Sequence, residues 1–198
     1  TTDLECETDL PAAATTIAEF MALAGASVAD GCNDLGDLTI SSTTTGLMNG
    51  NCNGTIEREY EITDLCGNTT TVTHVFTVTD NTAPNATAPI GYDLECSTDL
   101  PAAITNITDF INDPDADASD NCTAPANLVL THVDVPLVGT ECNGTIAREY
   151  MITDECGNTT TVTQYFSVTD NTVPTVVLNG PNPVEVCQNS AYADPGVT

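Results

Sequence analysis

Eight cysteines stand in two sets of four, and they are the first residues here whose type and spacing imply chemistry. Cys6, Cys32, Cys52 and Cys66 recur 90 residues later as Cys96, Cys122, Cys142 and Cys156. Thiols in such sets either hold a metal or form disulfides. No pair has the Cys-x-x-Cys spacing of zinc modules, and neither His74 nor His132 recurs in the other repeat. The reading is therefore disulfides. Disulfides persist in oxidising compartments, which implies a secreted or surface-displayed protein. A ninth cysteine, Cys187, has no counterpart and is expected to be unpaired in this chain.

Three further groups of residues could carry chemistry. Asp113, Asp115 and Asp117 alternate, with Asp120 close behind, and oxygen-rich loops of that kind suit calcium. The loop lacks the glycine and distal glutamate of an EF-hand. A second calcium candidate is the linker carboxylate of each repeat, Asp80 and Asp170, stiffened by Pro84 and Pro174. Sequons for N-glycosylation occur at Asn53, Asn68, Asn85, Asn106, Asn121, Asn143 and Asn158. Asn53/Asn143 and Asn68/Asn158 are matched between repeats, while Asn106 doubles as a helix cap. Catalysis finds no support: no nucleophile–base pair, phosphate-binding glycine loop or histidine set is placed together. The reading is not an enzyme, with no required cofactor, and with calcium and covalent glycans as candidates.

The elements that position these groups follow from periodicity. Ile146, Arg148, Tyr150 and Ile152 share one parity, as do Val162, Gln164, Phe166 and Val168, with a Gly157-Asn158 turn between the two runs. That is a β-hairpin, and Ile56 to Val78 repeats it. A weaker strand precedes each hairpin, at 37–45 and 127–134. Thr16-Ile17-Ala18-Glu19 has the form of a capping box, with Ile17, Phe20 and Met21 on one helical face and Gly25 as a stop; Asn106 to Ile111 is its copy. Arg58 and Arg148, the two arginines, fall on the inward parity and must find loop carbonyls or an acid. The expected fold class is mainly β: tandem Ig-like β-sandwich modules, each with one short helix and two disulfides. The expected domains are 1–82, 83–172 and 173–198, the last a truncated third module or a donor-strand tail.

Alternating strands put Cys6 and Cys52 at one pole of a module and Cys32 and Cys66 at the other. Cys52 and Cys66 bracket a strand of about nine residues, roughly 30 Å of chain, too far for a disulfide. The expected bonds are Cys6–Cys52, Cys32–Cys66, Cys96–Cys142 and Cys122–Cys156. The first module also lacks the stretch that precedes Tyr92 in the second, 83–90, and residues 173–180 align with that missing stretch. One subunit's tail is thus a candidate to complete the next subunit's first module by strand addition.

The bulk numbers agree with small stapled modules. The chain has 198 residues, two arginines, no lysine and 29 acids, for a formal charge of −27, and aromatics are only 5%. Such acidity repels nucleic acid and anionic membranes. No apolar run approaches the ~20 residues that span a bilayer. No leader precedes the first module, so the chain reads as a mature fragment or a window of a longer array.

Asp64 to Asn68 with Val78 to Pro84, and Asp154 to Asn158 with Val168 to Pro174, resemble the hyalin-repeat (HYR-like) family, in the four-cysteine variety of large Bacteroidota-type surface proteins. The resemblance implies an immunoglobulin-like sandwich, tandem arrays and roles in adhesion or extracellular structure, without enzymatic activity. The expected function is a building block of a secreted or cell-surface filament or adhesin stalk, glycosylated and assembled head to tail. Its partners would be copies of itself or further Ig-like modules. The alternative is a calcium-dependent carbohydrate- or surface-binding module.

Overall fold

The computed structural model describes residues 2–177 together with 179, 185, 186, 188 and 191. Cys187 and most of the segment expected to open a third module lie outside them.

The first repeat begins with β1 (Thr2–Leu4) and a short helix α1 (Ile17–Met21), followed by β2 (Thr39–Thr44), β3 (Gly54–Thr63) and β4 (Thr69–Val78). The second adds β5 (Asn85–Thr87) before β6 (Asp93–Leu94) and α2 (Ile107–Asn112), then β7 (Asp117–Ser119), β8 (Val129–Thr140), β9 (Asn143–Thr153) and β10 (Thr159–Val168). Each repeat forms one four-stranded sheet, in the orders β1-β4-β3-β2 and β6-β10-β9-β8. The chain is mainly β and fits an Ig-like β-sandwich whose second layer is thin: helix, 3-10 turns and, in the second repeat, the β5–β7 ribbon.

The alternation along β3 and β9 builds the core. Ile56, Tyr60 and Ile62, and likewise Ile146, Tyr150 and Ile152, are buried between outward Glu, Thr and Met. Each helix is short because its apolar stripe ends after one turn and a half, and its start is capped as the residues dictate. In α1 the Glu19 amide donates to Thr16 Oγ1 at 3.2 Å, and the Thr16 amide donates back to Glu19 Oε2 at 3.2 Å. In α2 the Asp109 amide donates to Asn106 Oδ1 at 2.8 Å. Phe20 and Phe110 then meet Tyr60 and Tyr150 edge to face, at 5.0 and 5.2 Å between centroids.

Strand β8 runs past Asp134, where the sequence pattern weakens, to Thr140. A register shift between Val135 and Val138 absorbs Pro136, which cannot donate to the ladder.

The two repeats differ along one edge. In the second, residues 84–92 lie across the sheet. β5 pairs antiparallel with β7, Pro84 is fully buried, Gln164 Nε2 donates to the Ile90 carbonyl at 3.0 Å, and Tyr92 stands edge-on to Phe166 at 5.4 Å. Gly91 passes so close to β10 that a Cβ would sit 1.6 Å from the Tyr165 carbonyl oxygen, so only glycine fits. In the first repeat Ser27–Ala29, the counterpart of β7, has no strand beside it among the described residues, and Val72 is 48% exposed where its counterpart Val162 packs against the core.

Candidate functional site

The cysteines converge, but not as the strand order predicted. Cys6 is bonded to Cys122, with Cα atoms 5.2 Å apart, and Cys52 to Cys156, with Cα atoms 4.9 Å apart. Both bonds join the first repeat to the second. The expected pairs Cys6–Cys52, Cys32–Cys66, Cys96–Cys142 and Cys122–Cys156 are not formed, and the two disulfides belong to the joint and not to each module. Strand alternation correctly brings Cys6 and Cys52 to one end of the first repeat. That end abuts the end of the second repeat carrying Cys122 and Cys156, and each thiol finds its partner across the gap instead of beside it. Cys32, Cys66, Cys96 and Cys142 are exposed free thiols at the two outer ends.

Local turn chemistry fixes the joint. The Asp154 carboxylate accepts from the Cys156 and Asn158 amides, both at 2.8 Å, so the tight Asp154–Asn158 turn presents Cys156. Asp120 does the same for Cys122 and Thr123, at 2.9 and 2.8 Å. Across the joint, Asn158 Nδ2 donates to the Asp80 carbonyl at 3.2 Å and Asn51 Nδ2 donates to the Cys122 carbonyl at 3.4 Å.

Three carboxylates are trapped at this joint. Asp80 and Asp154 are 3% and 4% exposed, and Asp120 sits beside them. Oδ2 of Asp80 and Oδ1 of Asp120 are buried without a hydrogen-bond partner among the described residues. Asp80, Asp154 and the Cys156 sulfur bring one ligand atom each within 4.8 Å of one another; the sulfur is spent in its disulfide, so the oxygens are the usable donors. Burial pushes the Asp80 carboxyl above its usual value, with Asp120 and Asp154 adding repulsion against the Thr82 amide that lowers it. Buried carboxylate oxygens lacking donors call for either a proton or a hard cation.

Of the calcium candidates in the sequence, Asp80 and Asp120 come together here, one from each of the two groups. Asp154, which completes them, gave no signal beyond its place in the turn motif. Asp113 instead caps α2 and accepts from the Asp115 amide at 3.0 Å, Asp117 lies in β7, and Asp170 is exposed at the far end. Among the sequons, Asn53, Asn85 and Asn143 are exposed, with no side-chain hydrogen bond among the described residues. The amide groups of Asn68, Asn106, Asn121 and Asn158 are engaged with Asp64, Asp109, the two junction sulfurs and Asp154 respectively.

The Thr2 hydroxyl lies 3.0 Å from His74 Nε2. No carboxylate orients that imidazole among the described residues, and the second repeat holds Tyr92 and Gln164 at these places. The contact is read as structural. Among the described residues no helix is long and apolar enough to cross a membrane.

An Asp80→Asn substitution tests the trapped charge. The raised carboxyl pKa means that folding favours the protonated form. The penalty is absent below the unfolded value of 3.8 and grows as pH rises through the window above it. Without calcium, Asp80→Asn should therefore raise the thermal midpoint by a few degrees at neutral pH, on the order of 1 kcal/mol, and have no such effect at pH 3. Scanning calorimetry at both pH values in chelator checks the sign.

No curated protein matches the chain. Residues 5–78, the span that carries Cys6, Cys32, Cys52 and Cys66, match the family model of the HYR-like domain with 4 cysteines, which suggests an extracellular adhesion-type module.

Proposed function

We propose that this protein is a non-enzymatic structural segment of an extracellular filament or adhesin stalk, propagated head to tail by strand addition. The observation that carries the reading is the handover between repeats. The chain leaves β4, crosses a joint held by two disulfides, and its next strand, β5, completes the second repeat. Among the described residues no strand lies along Ser27–Ala29, the matching place in the first repeat, and Val72 beside it is exposed. Residues 173–177 repeat the spacing of 83–87, with Pro174 in the place of buried Pro84 and Val176 in that of Ala86. Val173, Val176 and Val177 are 78%, 71% and 63% exposed, as a strand awaiting a groove would be. In the register of β5 with β7, Val176 of one copy would face Val28 of the next. An acidic surface keeps such a rod soluble. Exposed Asn53 and Asn143 are the positions best suited to carry glycans.

Deleting residues 173–198 should abolish head-to-tail assembly, as should Val176→Asp. Sedimentation velocity and electron micrographs of the native, unreduced protein read the result. Assemblies that survive both changes would overturn strand addition.

A second reading, a calcium-dependent adhesion module, is favoured by the Asp80–Asp120–Asp154 cluster. In it the ion stiffens the joint and does not bridge to a sugar, because the cluster is buried. Calcium should then raise the thermal midpoint of the wild type but not of Asp80→Asn. Isothermal calorimetry without heat after chelation would dismiss this reading.

A further inference from the structure

We infer that the four cysteines left free among the described residues are the two halves of a second covalent joint, which bonds one copy of this chain to the next through Cys96–Cys32 and Cys142–Cys66. The inference rests on the head-to-tail reading above and names its covalent chemistry. Four residues that would each be a lone thiol are correlated by the repeat. Cys96 and Cys142 are the counterparts of Cys6 and Cys52, and Cys32 and Cys66 are the counterparts of Cys122 and Cys156. Within the chain the first pair is bonded to the second pair. The outer ends therefore carry the same two complementary faces, one at each end, and all four thiols are exposed.

The supporting frames match as well. Asp30 accepts from the Cys32 amide at 2.8 Å and Asp64 from the Cys66 amide at 2.8 Å, as Asp120 and Asp154 do at the closed joint. Asn68 makes with Asp64 the contacts that Asn158 makes with Asp154, and keeps the amide that would reach the Asp170 carbonyl of the neighbour. At the other end the Asp170 amide donates to the Glu141 carbonyl at 3.0 Å, as the Asp80 amide donates to that of Asn51 at 3.1 Å. The departures are Gly31 for Asn121, Asn33 for Thr123 and Glu141 for Asn51. They remove the side-chain bonds from Asn51 and Asn121 across the joint but leave both cysteine turns intact.

Each bond forms when two thiols lose two protons and two electrons to a low-molecular-weight disulfide, which leaves as two thiols. Partial desolvation, and then the nearby carboxylates of Asp99, Asp170, Glu141 and Glu95, hold the Cys96 thiol above its usual value, so coupling should be faster in mildly alkaline solution.

The test mixes the full chain grown with ordinary and with heavy nitrogen, oxidises it with glutathione disulfide at pH 8.5, and maps disulfide peptides by mass spectrometry. Peptides Cys32–Cys96 and Cys66–Cys142 of mixed isotope, with a ladder on non-reducing gels, are expected. The Cys32→Ser/Cys66→Ser variant should give no ladder while keeping its Cys6–Cys122 and Cys52–Cys156 peptides. Cys32–Cys66 or Cys96–Cys142 peptides would overturn the inference, and so would assemblies whose four thiols stay free. That last outcome would leave strand addition standing, whereas loss of assembly in the tail deletion tests the strand independently of the thiols.

Discussion

Replacing Cys6, Cys52, Cys122 and Cys156 together by serine should cause the largest stability loss available in this chain. The bonds close loops of 116 and 104 residues. Loop-closure entropy for rings near that size is worth about 4–5 kcal/mol for the first bond, and less for the second because the first has already shortened the path. A combined loss of roughly 5 kcal/mol in a chain of this length lowers the thermal midpoint on the order of 10–20 °C. All four must go, because Cys122 and Cys156 left alone are held near each other through the Thr123 hydroxyl and the Glu155 amide, 3.2 Å apart. The second consequence is mechanical. Without the bonds the joint rests on the Asn158 and Asn51 contacts against three like charges, so the repeats should uncouple. Calorimetry should resolve two transitions in place of one, and small-angle scattering should show a broader distribution of end-to-end distances. An unchanged midpoint and an unchanged scattering curve would mean that the covalent joint fixes neither stability nor shape.

This joint also marks where sequence reasoning stopped. Strand alternation is written in Ile146, Arg148, Tyr150 and Ile152, and the helix starts are written in Thr16 with Glu19 and in Asn106, because these signals depend on neighbours a few residues away. The demand of an inward arginine for acceptors was equally legible. Cysteine spacing locates a thiol at a pole but does not say whether its partner lies in the same repeat or the next; both choices satisfy the same geometry, and only the stacking of the two ends decides. Asp80 reads as a linker carboxylate. It is buried at the joint beside Asp120 and Asp154, residues 40 and 74 positions away, and no local pattern carries that information. The inward parity of Val72 was legible as well; that Val72 is nonetheless 48% exposed needed the structure.

Arg148→Ala should be the most damaging single substitution outside the cysteines, at about 3–5 kcal/mol. Arg148 is 2% exposed. Its Nε donates to Asp134 Oδ1 at 2.6 Å, its Nη2 donates to Asp134 Oδ2 and to the Pro101 carbonyl, both at 2.9 Å, and it lies over the Phe166 ring at 5.6 Å. One side chain thus ties β9 to β8 and to the loop before α2. Arg58 occupies the matching place with a different partner: Nε donates to Thr44 Oγ1 at 3.0 Å and Nη2 to the Pro11 carbonyl at 2.8 Å, with no carboxylate on it among the described residues. Removing Arg58 deletes a buried charge that no ion pair offsets, while removing Arg148 also strands Asp134. Arg58→Met should therefore cost within about 1–2 kcal/mol, less than Arg148→Met, because methionine keeps the packing and sheds the desolvation. The pH dependence separates packing from pairing. Arg148 holds the Asp134 carboxyl below its usual value. That contribution is fully present above the unfolded value of 3.8 and is lost as pH falls through the lower folded value. The gap in stability between wild type and Arg148→Met should accordingly be widest near neutrality and narrow in acid, while the gap for Arg58→Met stays flat. Denaturant unfolding at pH 7 and pH 3 measures both gaps, and a gap for Arg148→Met that is the same at the two pH values would mean that the ion pair contributes nothing beyond packing.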